Sequence, residues 1–230
     1  MKKCILLLLV ASFVWSSRLM AQQVSSGHDI RYHHEIEGML RQDSQSPPPL
    51  GAIVFTGSSI FRLWATLKSD MHPLPAVNRA FGGARTWEVV HYMDSVIMPL
   101  KPSIIVYYCG GNDIESGESP GAVLERFGEF CSRVHASLPK TKIYFVSLNK
   151  APQKAGKWAE LDEINRMAAE RCSRDGRLGY IDINPPFFNG SGQLRRELYI
   201  GDGLHFMPDA YRILTSRIKP VIESAWEEVH

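Results

Sequence analysis

The sequence predicts a three-layer α/β fold, a five-stranded, doubly wound parallel sheet with helices on both faces. Two observations predict it. Five short segments are apolar throughout instead of alternating, as strands buried on both faces must be. Between them lie stretches of helical character ten or more residues long, the spacing of right-handed β–α–β units. The chain is 230 residues long, enough for one domain with a single core.

The start of the chain stands apart. Met1-Lys2-Lys3 is positive, and residues 4–15 form an apolar run too short to span a bilayer comfortably. Ala21 is the small residue before Gln22-Gln23, although Leu19 is not the small residue expected two positions before a cleavage site. Residues 1–21 therefore read as a secretory signal, which makes the mature protein exported, periplasmic or extracellular. An uncleaved membrane anchor is the other reading. Cys4 lies inside the apolar run, which argues against a lipid-modified mature N-terminus.

Residues 22–50 form a helical extension and linker. A weak helical period over 24–45, with a helix around 29–41, carries His28, His33 and His34, and reads as a solvated helix face in preference to a metal site; Ser46-Pro47-Pro48-Pro49 then breaks the chain. The α/β domain occupies 51–230. Its first strand covers 52–55, followed by Gly57-Ser58-Ser59 and a helix through Trp64 and Leu67. A second strand, 76–81, leads through Gly82-Gly83 into a helix over 86–98. A third, 103–108, is rich in β-branched and aromatic residues and precedes a polar loop and a helix over 120–138. The fourth strand is 142–148 with its helix at 158–174, and the fifth is 178–183. After an irregular stretch at 185–200, a helix over 208–226 opens with Pro208 in its first turn.

Composition excludes several functions. Lys and Arg number 26 against 24 Asp and Glu, a net charge of +2. A nucleic-acid partner held by a basic face does not fit that balance. No repeat is present, and Cys109, Cys131 and Cys172 match no zinc spacing. Cys109 falls in a strand and the others in helices, as buried small apolar residues do.

Four short segments fall at strand ends or just before the last helix: Thr56-Gly57-Ser58-Ser59, Phe81-Gly82-Gly83-Ala84, Gly110-Gly111-Asn112-Asp113 and Asp202-Gly203-Leu204-His205. In doubly wound folds ligands bind outside the carboxyl ends of the strands, so all four share one rim. Ser59 opens a helix after a buried strand, where free amides favour developing negative charge. The same segment equally caps a helix or cradles a phosphate. Gly83 lets a backbone N–H face a ligand, Asn112 offers a side-chain amide, and Asp113 reads as fixing its loop. Asp202 and His205, three apart, set a carboxylate against one imidazole nitrogen and leave the other facing the rim.

Together the segments resemble the SGNH, or GDSL-type, serine hydrolases, in the branch similar to platelet-activating-factor acetylhydrolase-like esterases, over about residues 51–214. Thr56-Gly57-Ser58-Ser59-Ile60 takes the place of that family's Gly-Asp-Ser block, with Ser58 where Asp is usual. Asn78-Arg79-Ala80-Phe81-Gly82-Gly83 looks like its glycine block. The resemblance implies a flavodoxin-like SGNH hydrolase fold, with Ser59 as nucleophile, His205 as base and Asp202 as its orienter. It implies an oxyanion hole of the Ser59 and Gly83 amides and the Asn112 side chain. Ser58 then supports the loop through a hydrogen bond of its own. The substrate would be a small ester, and neither a metal nor an organic cofactor is called for. Two other readings stay open: a flavodoxin-like phosphate- or cofactor-binding module, and a sugar-binding member of the fold without turnover. Trp158, Phe187, Phe188 and Tyr199 are candidates for lining a pocket or for ordinary packing. The Asn189-Gly190-Ser191 sequon carries no weight by itself.

Overall fold

The computed structural model of the chain describes residues 31–230. The expected signal at 1–21 and His28 lie outside the described residues.

Five parallel strands form one sheet in the order β2-β1-β3-β4-β5, with β1 at Ile53–Gly57, β2 at Ala76–Asn78, β3 at Ile104–Tyr108, β4 at Lys142–Val146 and β5 at Leu178–Ile181. The chain starts at β1, steps outward to β2, then crosses back to β3 and continues to β5. Because such crossovers are right-handed, this reversal puts helices on both faces. One layer holds α4 (Thr86–Val96), α6 (Pro120–Ser137) and α7 (Trp158–Cys172), with α1 (His33–Gln45) packed beside α4. The other holds α2 (Ser59–Arg62), α3 (Leu67–Asp70) and α8 (Pro208–Val229). Tyr211 of α8 packs its ring on Trp64 and donates its hydroxyl to the Ile60 carbonyl. A single turn, α5 (Gly111–Glu115), follows β3.

Every residue of β1 and β3 is buried, as a strand covered on both faces requires. Under the α4–α6–α7 layer Tyr107 meets Phe127, Phe130 and Phe145. On the other face Phe55, Phe61 and Trp64 form a second aromatic cluster. Each such side chain contributes roughly 1.5–3 kcal/mol when fully buried. Phe187 and Tyr199 pack with Phe206 as part of the core. Trp158 and Phe188 pack edge to face and remain only partly buried.

Four elements differ from expectation. The helix after Ser59 is two separate turns, because Trp64 turns inward onto Phe55 and Phe61 while its Nε1 and the Thr66 hydroxyl both donate to Asp70. Strand β2 ends at Asn78, whose own Oδ1 takes the Ala80 N–H; Arg79 and Phe81 still donate to the β1 carbonyls of Phe55 and Gly57. Asn112 sits in a helical turn, not a polar loop. Helix α1 begins at His33 because Tyr32, with φ 68°, cannot continue it upstream, and it runs on to Gln45.

Cys109, Cys131 and Cys172 are free and buried, Cys109 lying one residue past β3. Burial pushes the Cys131 thiol up to about 12 and Cys172 to about 11, and Cys109 well above its ordinary value. Among the described residues no helix is long and apolar enough to cross a membrane.

Candidate active site

The rim at the carboxyl end of the sheet is shaped by close approach of its two central strands. A Cβ on Gly57 would lie 1.9 Å from the Tyr108 carbonyl oxygen, and φ there is +128°, so only glycine fits. Ser58 N–H donates to that same oxygen, and its carbonyl takes the N–H groups of Phe61 and Arg62, closing the turn that carries Ser59. The Ser58 side chain does not cap α2, and among the described residues no hydrogen bond of its hydroxyl supports the loop as expected. With α2 only one turn long, the macrodipole adds little there; the Ser59 amide, first of the turn, keeps its N–H free of an intrahelical partner.

The last segment delivers the imidazole. Asp202 Oδ1 accepts the N–H groups of Leu204 and His205, which folds the loop back on the carboxylate, and Gly203 takes φ +66° in between. The His205 carbonyl accepts Ile200 N–H. In this frame His205 Nδ1 lies 2.6 Å from Asp202 Oδ2, and Nε2 lies 2.9 Å from Ser59 Oγ. A carboxylate at Nδ1 assigns the proton to that nitrogen and turns the Nε2 lone pair to the hydroxyl. Burial alone would raise the Asp202 carboxyl, but the two backbone N–H donors and the imidazole outweigh it and hold it at about 2.

Gly83 and Asn112 flank this pair from the neighbouring strands. The glycine block is fastened to β1 by Phe81 N–H on Gly57 O, and to α2 by Asn78 Nδ2 on Phe61 O. Gly83 has φ +71°. Asn112 Nδ2 donates to Ala84 O at 3.0 Å, which orients the amide and leaves its second N–H available. Asp113 is fully buried and accepts the Thr86 N–H and hydroxyl, tying α5 to the start of α4. Burial raises its carboxyl and those Thr86 bonds oppose the rise. It fixes the loop, as expected.

Residues 53–213 match the GDSL-like lipase/acylhydrolase family. The chain belongs to that family. It is therefore a carboxylic ester hydrolase by kinship. No curated protein sequence matches it. Among solved structures it is similar to a protein from Streptococcus pneumonia named for platelet activating factor (TM-score 0.71, 20% identity, 82% of this chain and 92% of that one). It is also similar to a GDSL-like lipase from Bacteroides thetaiotaomicron (TM-score 0.67, 17% identity, 83% and 98%). A third is a carbohydrate esterase family 3 protein from Talaromyces cellulolyticus (TM-score 0.61, 13% identity, 76% and 99%). At these identities the likeness is one of fold.

Two residues beside the site escape sequence reasoning. Lys154 is 6% exposed; its Nζ donates to Gly111 O at 2.9 Å and reaches Glu115 Oε2 at 3.4 Å. Burial lowers its ammonium and Glu115 opposes that. A lysine in a loop reads as solvated, and only the fold brings it under the Asn112 segment. Tyr32, ahead of the family match, reaches Gly83. The exposed His33 and His34 pair with Glu37 on the outer face of α1, as a solvated helix face does.

Proposed function

We propose that the chain is an exported serine esterase that hydrolyses small carboxylic esters, carbohydrate O-acetyl or lipid esters, through an acyl-enzyme on Ser59. The observation that carries the reading is the relay from Asp202 through His205 to the Ser59 hydroxyl. In it His205 Nε2 takes the Ser59 proton as Oγ attacks the ester carbonyl. The amides of Ser59 and Gly83 and the free N–H of Asn112 hold the oxyanion. Asp202, kept ionised by its donors, stabilises the imidazolium. His205 then protonates the leaving alcohol, and water repeats the sequence on the acyl-enzyme.

The fold likeness to a carbohydrate esterase and the signal-like start suit an acetylated glycan outside the cell, and the likeness to a GDSL-like lipase suits a lipid ester. The test is fluorophosphonate labelling followed by peptide mapping, with an activity panel of nitrophenyl esters, acetylated sugars and lysophospholipids. A covalent adduct on Ser59 and turnover of at least one ester class are expected. An unlabelled protein that turns over none of them would sink the proposal in favour of a binding module.

A further inference from the structure

We propose that Tyr32, from the segment ahead of the family match, is a substrate-contacting residue that bounds the acyl side of the site and keeps the accepted acyl group short. This rests on the serine-esterase reading above.

The geometry around Tyr32 is built, not incidental. Its φ of 68° is one that a bulky residue adopts only when its surroundings hold it there. Arg31, next to it, makes a two-pronged ion pair with the fully buried Glu88, at 2.8 and 2.9 Å. The Arg31 carbonyl accepts the Tyr92 hydroxyl. The Tyr32 ring packs on Phe81, with centroids 5.2 Å apart, and the Arg31 guanidinium lies over it. Farther along α1, Glu35 pairs with Arg62, whose side chain covers Gly82, and Asp43 takes both its oxygens to Arg79. Three ion pairs thus anchor this segment to the glycine block and its surroundings.

What the anchoring delivers is a hydroxyl. The Tyr32 Oη lies 2.7 Å from where a Cβ on Gly83 would stand. Among the described residues that hydroxyl has no hydrogen-bond partner. Gly83 is the edge-strand member of the oxyanion hole, so a group bound there meets Tyr32 next.

The positions of the two residues fix which group. His205 comes from the loop before α8 and meets Ser59 after β1, whereas Tyr32 lies beyond Gly83, past the edge strand β2 and beside Phe81 and α4. The leaving oxygen must face His205 Nε2 to receive its proton. The acyl substituent on the same carbonyl carbon is thereby turned toward Tyr32. A fixed aromatic wall at that point leaves room for a small acyl group and rejects longer chains, a discrimination of about 10–200-fold per misfitted methylene-sized step in a closed pocket.

The experiment compares kcat/KM for nitrophenyl acetate, butyrate and octanoate in wild type, Tyr32→Phe, Tyr32→Ala, Tyr32→Leu and Asp43→Asn. Tyr32→Ala is expected to raise the octanoate-to-acetate ratio by about tenfold or more, and Tyr32→Phe, which removes only the oxygen facing Gly83, to raise it by less. Tyr32→Leu, which retains contact with Phe81, is expected to follow Tyr32→Ala and serves if the alanine variant does not fold. Asp43→Asn removes the anchor farthest from Tyr32 and keeps the Arg31–Glu88 pair, the Tyr92 bond to the Arg31 carbonyl and the Phe81 contact beside the ring, so it is expected to leave the ratio alone. An unchanged ratio in the folded alanine or leucine variant, or an equal shift in Asp43→Asn, overturns the proposal. Full activity in Ser59→Ala would instead overturn the esterase reading on which it stands, whatever Tyr32 does.

Discussion

The Nε2 of His205 lies 2.9 Å from the Oγ of Ser59, although 146 positions separate the two residues. One comes from the turn after β1, the other from the loop before α8, and Asp202 holds the imidazole from behind. Ser58, the adjacent hydroxyl, does not cap α2 and makes no comparable contact among the described residues.

Ser59→Ala is accordingly expected to abolish hydrolysis of nitrophenyl acetate, with a loss on the order of 10⁴ or more. Ser58→Ala is expected to retain most of it. The reverse pattern in steady-state kinetics would move the nucleophile by one residue.

Asn112→Ala is expected to lower kcat by about 10²–10³ with little change in KM, because its free N–H meets charge that appears only on the way to the tetrahedral intermediate. Asp113 still ties α5 to Thr86 in that variant, so the thermal midpoint should hold. A rise in KM at constant kcat would count against an oxyanion role.

Lys154→Met is expected to cut kcat by about tenfold to a hundredfold through misplacement of the Asn112 turn. Stability should fall modestly, since the Gly111 carbonyl loses its Nζ donor while the apolar stem is kept. Lys154→Arg should recover part of the rate. A variant with wild-type kcat would show that the Nζ contact with Gly111 is only packing.

The Asp202 carboxyl, held at about 2, lies below its unfolded range, so the folded state binds this proton less readily than the unfolded chain does. Its stabilising effect is then complete above about pH 4 and disappears as pH falls toward about 2. Melting curves of wild type and Asp202→Asn should differ at neutral pH and converge across that acid window. A difference that persists unchanged to the acid end would contradict the assigned direction.

The sheet and the rim were legible because their signals are local. Strands such as Ile104–Tyr108 are apolar at every position, and glycines follow where backbones come close, as at Gly57, or where φ is positive, as at Gly83. The pairing of Asp202 with His205 lies within one loop and could be read from spacing. What could not be read depends on contacts across the fold. Trp64 breaks the helix after Ser59 because a distant cluster offers it a better place, and Asn78 ends β2 by capturing Ala80 N–H. The charges of α1 look solvated in sequence, but Glu35 and Asp43 find Arg62 and Arg79 on other elements. Lys154 gives no local sign that its ammonium is bonded under Gly111.

The three cysteines among the described residues carry a consequence of their own. Cys109, Cys131 and Cys172 are each sealed from solvent, uncrosslinked, and so reluctant to ionise that they offer little nucleophilic sulfur to an oxidant or an alkylating reagent. The described domain therefore draws no stability from a disulfide, and treatment with dithiothreitol or mild peroxide should leave its melting behaviour where it was.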